Sequence, residues 1–273
     1  MAAKKPQSNR KAKTSAHVQG SRPNSPRLLG TVAVVTGGSR GIGYAIAGAL
    51  SAEGCSVVIT GRDAAKLAKS VAELRRVLPK PTPVQGKGGA QIVAEVCDVR
   101  DPDSVVSLFA TVKQRFGRLD VLVNNAGIAQ PAVSIEQTSL EVWRDVMDTN
   151  LTGLFLCTRA ALPLMQAGAT IINNLSVAAR TVFPNFAAYN ASKHGALGFT
   201  LSLRDELIPR GIRVVALMPG ATDTDLWQQF WPDAPRERMV NVESVAQAVL
   251  YAVLLPPNAN LSEVVLAPTG GAL

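Results

Sequence analysis

The chain has 273 residues, 47% of them hydrophobic and 18% charged, and carries a formal net charge of +8. That is the composition of an ordinary globular protein, long enough to bury roughly three quarters of its unfolded surface around one core. The charge is local: Lys4, Lys5, Arg10, Lys11, Lys13, Arg22 and Arg27 fall in the first thirty residues, which hold no Asp or Glu, and the rest of the chain is close to neutral. The basic balance therefore gives the folded part no reason to bind nucleic acid.

Residues 1–28 are rich in Lys, Arg, Ser, Ala and Pro and lack aromatics and periodic apolar positions. A segment that buries so little cannot offset its ordering entropy, so a disordered basic tail is expected, followed by a single domain over 29–273. A transit peptide and a nucleic-acid arm are the alternatives, the second weakened by the lack of interleaved aromatics. The N-terminus has no apolar run of the secretory kind, and the most apolar later stretch, 151–171, is broken by Arg159 and Pro163. Cys55, Cys97 and Cys157 lack paired spacing, and His17 and His194 are the sole histidines. The cysteines read as small core residues in a reducing compartment; no metal and no membrane span are expected, and the location expected is cytoplasmic.

From residue 31 short apolar runs alternate with helix-length amphipathic segments. The runs are 31–36 (TVAVVT), 56–60 (SVVIT), 91–97 (QIVAEVC), 120–124 (DVLVN), 170–175 (TIINNL), 212–217 (IRVVAL) and 262–267 (SEVVLA). Between them, 64–78 and 102–116 have helical period, with Asp63 and Asp101 placed as N-caps. Strands with few polar positions, separated by helices, predict a parallel sheet covered on both faces. The fold expected is α/β and doubly wound, a Rossmann arrangement of seven strands. The segment 79–90, with three prolines and three glycines, reads as an irregular loop.

The first strand runs into Gly37-Gly38-Ser39-Arg40-Gly41-Ile42-Gly43 and then a helix of small residues. Glycines let such a turn approach a pyrophosphate, and the helix N-terminus offers free N–H groups and a positive dipole end. The spacing is Gly-x-x-x-Gly-x-Gly. Further on come Asn124-Asn125-Ala126-Gly127, Asn150, Ser176, Tyr189-x-x-x-Lys193, and Pro219-Gly220 with Thr224. Tyr189 and Lys193 are an i, i+4 pair on one helix face, so the ammonium can lower the phenol pKa electrostatically. Alone the pair is weak evidence, since it occurs by chance in many helices.

Taken in order, these motifs resemble those of the short-chain dehydrogenase/reductase family over about residues 28 to 270. The resemblance implies a hydride transfer between a nicotinamide cofactor and a carbonyl or secondary alcohol. Tyr189 would be the general acid/base, Ser176 would polarise the substrate oxygen, and Lys193 would also hold the nicotinamide ribose. Asn150 would kink its helix and hold a water in the proton relay. Gly37, Ser39, Gly41, Ile42 and Gly43 would hold the cofactor phosphates, Asp98 the adenine, and Asn125, Ala126 and Gly127 the adenosine side. Pro219, Gly220 and Thr224 would pass the carboxamide. Leu175 departs from the family, where many relatives carry another serine.

A carboxylate at the end of the second strand would favour NAD, but Gly61 stands there, followed by Arg62, with Arg40 in the glycine turn. Two guanidinium groups favour a 2′-phosphate, so NADP(H) is the cofactor expected. Leu226, Trp227, Phe230 and Trp231 suggest a helical apolar lid over the substrate, ended by Pro232 and Pro235. A lobe packed on the core or on a partner subunit is the competing reading. The ending 258–271 is more similar to that of broad carbonyl and 3-hydroxy-acid reductases than to the longer Gly-rich ending of 3-oxoacyl-carrier-protein reductases. A reductase of that second kind stays open, as does a catalytically silent NADP-sensing regulator. The resemblance also implies a homodimer or homotetramer, with which the apolar stretch 151–164 agrees.

Overall fold

The computed structural model describes residues 27–76, 78, 89–229 and 231–271. Seven parallel strands form one sheet in the order β3-β2-β1-β4-β5-β6-β7. They are β1 (Val32–Val35), β2 (Ser56–Gly61), β3 (Ile92–Val96), β4 (Leu119–Asn124), β5 (Met165–Asn174), β6 (Arg213–Pro219) and β7 (Glu263–Leu266). The helices are α1 (Gly41–Ala52), α2 (Ala64–Leu74), α3 (Pro102–Phe116), α4 (Leu140–Met147), α5 (Gly153–Ala161), α6 (Ala187–Leu207) and α7 (Val242–Leu254). This is the doubly wound fold expected from the alternation of runs.

Strand alternation explains why both faces had to be apolar. Ala33 and Val35 of β1 pack with Ile46 and Leu50 of α1, Leu67 and Val71 of α2, and Val249 of α7. Val32 and Val34 point the other way, to Leu108 and Val112 of α3, Leu156 of α5 and Leu203 of α6. A one-residue slip would swap both sets, so register is strongly specified. The connection reverses direction between β1 and β4, which are neighbours although two strands separate them in sequence. A crevice opens outside the carboxyl ends of the strands at such a switch point.

Caps mark where four helices begin. Asp63 accepts from Lys66 N, Asp101 from Asp103 N, Ser139 from Val142 N and Asn241 from Ser244 N. Two boundaries differ from expectation by more than two residues. Helix α2 stops at Leu74, because the chain tightens there and the Arg76 N–H closes on Glu73 O three residues back. Strand β5 starts at Met165, where an irregular extension pairs with Leu119 before the register shifts.

Arg27 and Leu28, which composition assigns to the basic tail, belong to the fold: Arg27 pairs with Glu53 at 2.6 Å and Leu28 is buried. The rest of that tail and 79–88 of the expected loop lie outside the described residues. Cys55, Cys97 and Cys157 are buried and free, and burial pushes the Cys55 thiol up to about 12. Among the described residues no helix is long and apolar enough to cross a membrane, and no cluster could hold a metal ion.

Candidate active site

A cavity of about 980 Å³ lies outside the carboxyl ends of the strands. It is at the upper end of the roughly 300–1,000 Å³ typical of small-molecule clefts. Its wall contains Gly37, Ser39, Arg40, Gly41, Ile42, Arg62, Asp98, Asn125, Ala126, Gly127, Ser176, Tyr189, Lys193, Pro219, Gly220 and Thr224. The expected residues from six separate loops are thus brought to one place. Gly43 and Asn150 are the exceptions.

Gly43 is a packing residue. A Cβ there would stand 2.4 Å from Asn125 Nδ2 and 2.5 Å from Gly37 O, so a side chain would push the phosphate turn out of shape. The turn itself needs glycine at Gly37, whose φ of +64° suits no ordinary side chain and whose Cβ would meet the Ala126 backbone at 3.0 Å. The Asn125 side chain braces it from behind. Its amide donates to Thr36 O and Gly37 O and its oxygen accepts from Asn174 Nδ2 at 2.8 Å. Thr36 Oγ1 accepts from both Asn125 N and Ala126 N.

Helix α1 is unlike the four capped helices. Its N-cap residue, Arg40, makes no side-chain cap, while Gly41 and Ile42 of its first turn line the cavity. The free N–H groups and the dipole's positive end therefore face open space, where an anion is favoured. Around that end Arg40 lies 3.9 Å from Asp225, Lys66 lies 3.3 Å from Asp63, and Arg100 clasps Asp98 at 2.7 Å. Arg62 makes no hydrogen bond or ion pair among the described residues, though its charge helps the Arg100 guanidinium hold Asp98 below the usual carboxylate range. The Asp63 carboxylate, which could have repelled a 2′-phosphate, is occupied with capping α2.

Tyr189 and Lys193 extend from one face of α6, and Lys193 Nζ stands 5.6 Å from the centre of the Tyr189 ring. Nζ donates to Asn174 O at 3.2 Å. Ser176, just past β5, lines the same cavity; its Oγ accepts from Ala178 N at 3.1 Å, and its hydroxyl favours the ionised form of Tyr189. Here the electrostatics correct the sequence reading, in which Lys193 lowers the Tyr189 pKa. Burial dominates both groups: it raises Tyr189, against the opposing pull of Ser176, and lowers Lys193 from 10.5 to about 8. Desolvation disfavours the charged form of each.

Asn150 sits in a π turn, Asp148–Thr152, that joins α4 to α5 and produces the expected irregularity. Its carboxamide accepts from Ile128 N at 2.8 Å and donates to Ile128 O and to Ser192 Oγ. Being buried and so engaged, it sits behind the cavity wall and braces it. Gly127 lets it come close: a Cβ there would lie 3.3 Å from Asn150 Oδ1 and 3.7 Å from Lys193 Nζ.

Gln130 was not legible in advance. It is buried, its Oε1 accepts from Tyr189 N at 2.9 Å, and its Nε2 donates to Asn185 O at 3.4 Å. Phe186 gives α6 no side-chain cap, so Gln130 supplies one from another loop, on the amide of Tyr189. Asn174 was missed too, although its place two residues before Ser176 was a usable signal. Leu175 packs with Leu154, Ala196 and Met218, as befits a substitution that affects packing.

The apolar cluster forms a short 3₁₀ turn, Asp225–Gln229, rather than the expected helix. Trp227 Nε1 donates to Thr222 O at 2.8 Å, which fixes the indole, and Trp231 N closes on Trp227 O. The two indoles lie 6.1 Å apart at 60°, and both line the cavity with Leu226. Phe230 lies outside the described residues.

Comparison with known proteins agrees with this layout. The model of the short chain dehydrogenase family matches residues 31–235. The chain is 36% identical over 242 residues to a 3-oxoacyl-[acyl-carrier-protein] reductase of Synechocystis, covering 86% of this chain and 94% of that one. It is 37% identical over 212 residues to a 3beta-hydroxysteroid dehydrogenase of Mediterraneibacter gnavus, covering 77% and 72%. A short chain dehydrogenase of Burkholderia cenocepacia, solved in complex with NADP, superposes with a TM-score of 0.77 at 31% identity, covering 89% and 98%. The chain belongs to the short chain dehydrogenase family.

Proposed function

We propose that the protein is an NADP(H)-dependent oxidoreductase that interconverts a carbonyl and a secondary alcohol, with Tyr189 as its general acid/base. The observation that carries this reading is one cavity holding both an uncapped helix end and the Ser176–Tyr189–Lys193 cluster. The residues fit the cofactor. Gly37, Ser39, Gly41 and Ile42 would hold its pyrophosphate, Arg40 and Arg62 its 2′-phosphate, and Asp98, Asn125, Ala126 and Gly127 its adenosine side. Lys193, Pro219, Gly220 and Thr224 would hold the nicotinamide end. NADPH, when bound, supplies the hydride. Ser176 holds the substrate oxygen, and the buried, protonated Tyr189 hydroxyl gives that oxygen its proton. Asn150 and Gln130 keep the wall and α6 in position.

A 3-oxoacyl thioester is a second reading of the substrate, favoured by the Synechocystis relative. The neighbour solved with NADP supports the cofactor, as does Gly61 where a carboxylate would favour NAD. Residues 29–273 would form the catalytic domain. Phe155 of α5 and Leu201 of α6 are exposed apolar side chains that suit a homo-oligomer. A cytoplasmic location is proposed from the buried, unpaired cysteines.

The test is reduction of a ketone and aldehyde panel with NADPH and with NADH. The reading expects turnover with NADPH and a kcat/KM at least about tenfold lower with NADH, the discrimination of one lost charge-assisted contact. Equal use of both would refute the cofactor assignment, and no carbonyl turnover would refute the activity.

A further inference from the structure

We propose that the substrate is a neutral ketone carrying a bulky apolar ring system, a class that charged keto acids and short acyl chains do not match. The inference rests on the reductase reading above and adds to it the chemistry of the substrate compartment. The charged side chains of the cavity wall are segregated. Arg40, Arg62, Asp63, Lys66, Asp98 and Arg100 all come from the connections after β1, β2 and β3. Asp225 lies toward the same end, because it pairs with Arg40.

The other end has a different character. Leu175 and Val177 flank Ser176, Phe183 and Phe186 stand on the segment that leads into α6, and Trp227 and Trp231 line the same cavity from the segment after β6. Among the described residues Lys193 is the cation lining this end, and its Nζ is directed to the Asn174 carbonyl; Asp225, which begins the turn carrying Trp227, pairs with Arg40. A carboxylate or sulfonate here would lose its water and gain no cationic partner, which is strongly unfavourable. A neutral ring system loses nothing of the kind and covers apolar wall.

The tryptophans supply shape as well. Trp227 is tied to Thr222 O through its indole, and Trp231 is tied to Trp227 through the backbone, so the pair is set before a ligand arrives. Trp231 is nevertheless 42% exposed, a large apolar surface left at the edge of a cleft. A flat or fused ring stacking on it would cover that surface with the offset or edge geometry aromatic groups favour. A short keto acid reaching Ser176 would leave it bare.

The experiment uses the full chain and three probes: trans-2-decalone, the acetoacetyl thioester of N-acetylcysteamine, and acetoacetate. Binding to the NADP⁺ complex is read from tryptophan fluorescence, and turnover from NADPH oxidation. We expect decalone to bind at least about tenfold tighter than acetoacetate and to have the highest kcat/KM. Trp231→Ala should lower the decalone preference by about tenfold, mainly through KM. A thioester or acetoacetate that outperforms decalone would overturn the inference while leaving the reductase reading intact. If NADPH is oxidised with none of the probes, the reductase reading fails, and tight decalone binding still reports the ring compartment. An unchanged preference in Trp231→Ala would refute the stacking role directly.

Discussion

The two ends of the cavity are built by different means. At the β1–β3 end the ligand-facing groups are backbone N–H groups, glycines and a set of compensating charges. At the β5–β6 end they are aromatic and aliphatic side chains, interrupted by Ser176, Tyr189 and Lys193. The first end suits a ligand with fixed, anionic chemistry and demands a particular backbone. The second end, proposed to set the substrate, presents side chains that can vary without disturbing the turn. Reaction chemistry belongs at the boundary, where Asn174 touches both: its amide braces Asn125 and its carbonyl holds Lys193.

The largest effect should come at that boundary. Tyr189→Phe removes the proposed proton donor and should lower kcat by about 10² to 10⁴-fold while NADPH binding, read by fluorescence titration, stays within twofold, roughly the uncertainty of such a contrast. Weaker NADPH binding would mean that Tyr189 belongs to the cofactor end. Arg62→Ala should next raise KM for NADPH by about ten- to a hundredfold and leave NADH nearly unaffected. A parallel loss with NADH would erase the distinction between a phosphate-reading end and a neutral one.

Gln130→Ala sharpens the comparison by testing how the proton donor is held. Losing a cap on α6 costs about 1 kcal/mol of stability. Because the lost bond is on Tyr189 itself, kcat should fall several-fold and KM for NADPH should not move. The pH profile of kcat should shift as well, which a purely structural cap would leave in place. Gln130→Glu keeps the acceptor and should recover much of the rate.

A smaller effect concerns Lys193. Its folded pKa of about 8 is below its unfolded value of 10.5, so the unfolded chain binds more protons between these limits. The Lys193 contribution to stability should therefore rise with pH from about 8, opposed above the usual thiol range by buried Cys55, Cys97 and Cys157 and above the usual tyrosine range by Tyr189, all held protonated by burial. The thiols are common to both proteins, so the melting temperature of the wild type relative to Lys193→Met should climb across that window; a constant difference would contradict the burial of Lys193. The smallest effect is expected from deleting residues 1–26, which should leave turnover unchanged, since the described residues that line the cavity run from Gly37 to Gly271. A loss of activity would attach the basic segment to the site.

Much of the fold was legible because strand alternation, capping aspartates and glycine spacing are local signals. Asp63, Asp101 and helix α3 were located to the residue. The glycine turn was legible too, because its backbone geometry demands glycine at Gly37. Gln130 was not legible, because it contacts α6 across 59 residues of sequence and belongs to no local pattern. The Tyr189–Lys193 spacing showed a shared helix face but not the burial that governs both groups. Trp227 and Trp231 were placed together correctly, whereas the helix expected there is a short 3₁₀ turn, since Pro232 and Pro235 leave little chain to propagate it.

The most direct test of the account is a single-turnover reaction of the NADPH complex with trans-2-decalone, comparing the wild type with Tyr189→Phe. The account predicts that NADPH disappears and decalol forms in equal amounts in the wild type, while the variant binds both ligands and converts them at least about a hundredfold more slowly. Equal conversion by the two proteins would contradict it.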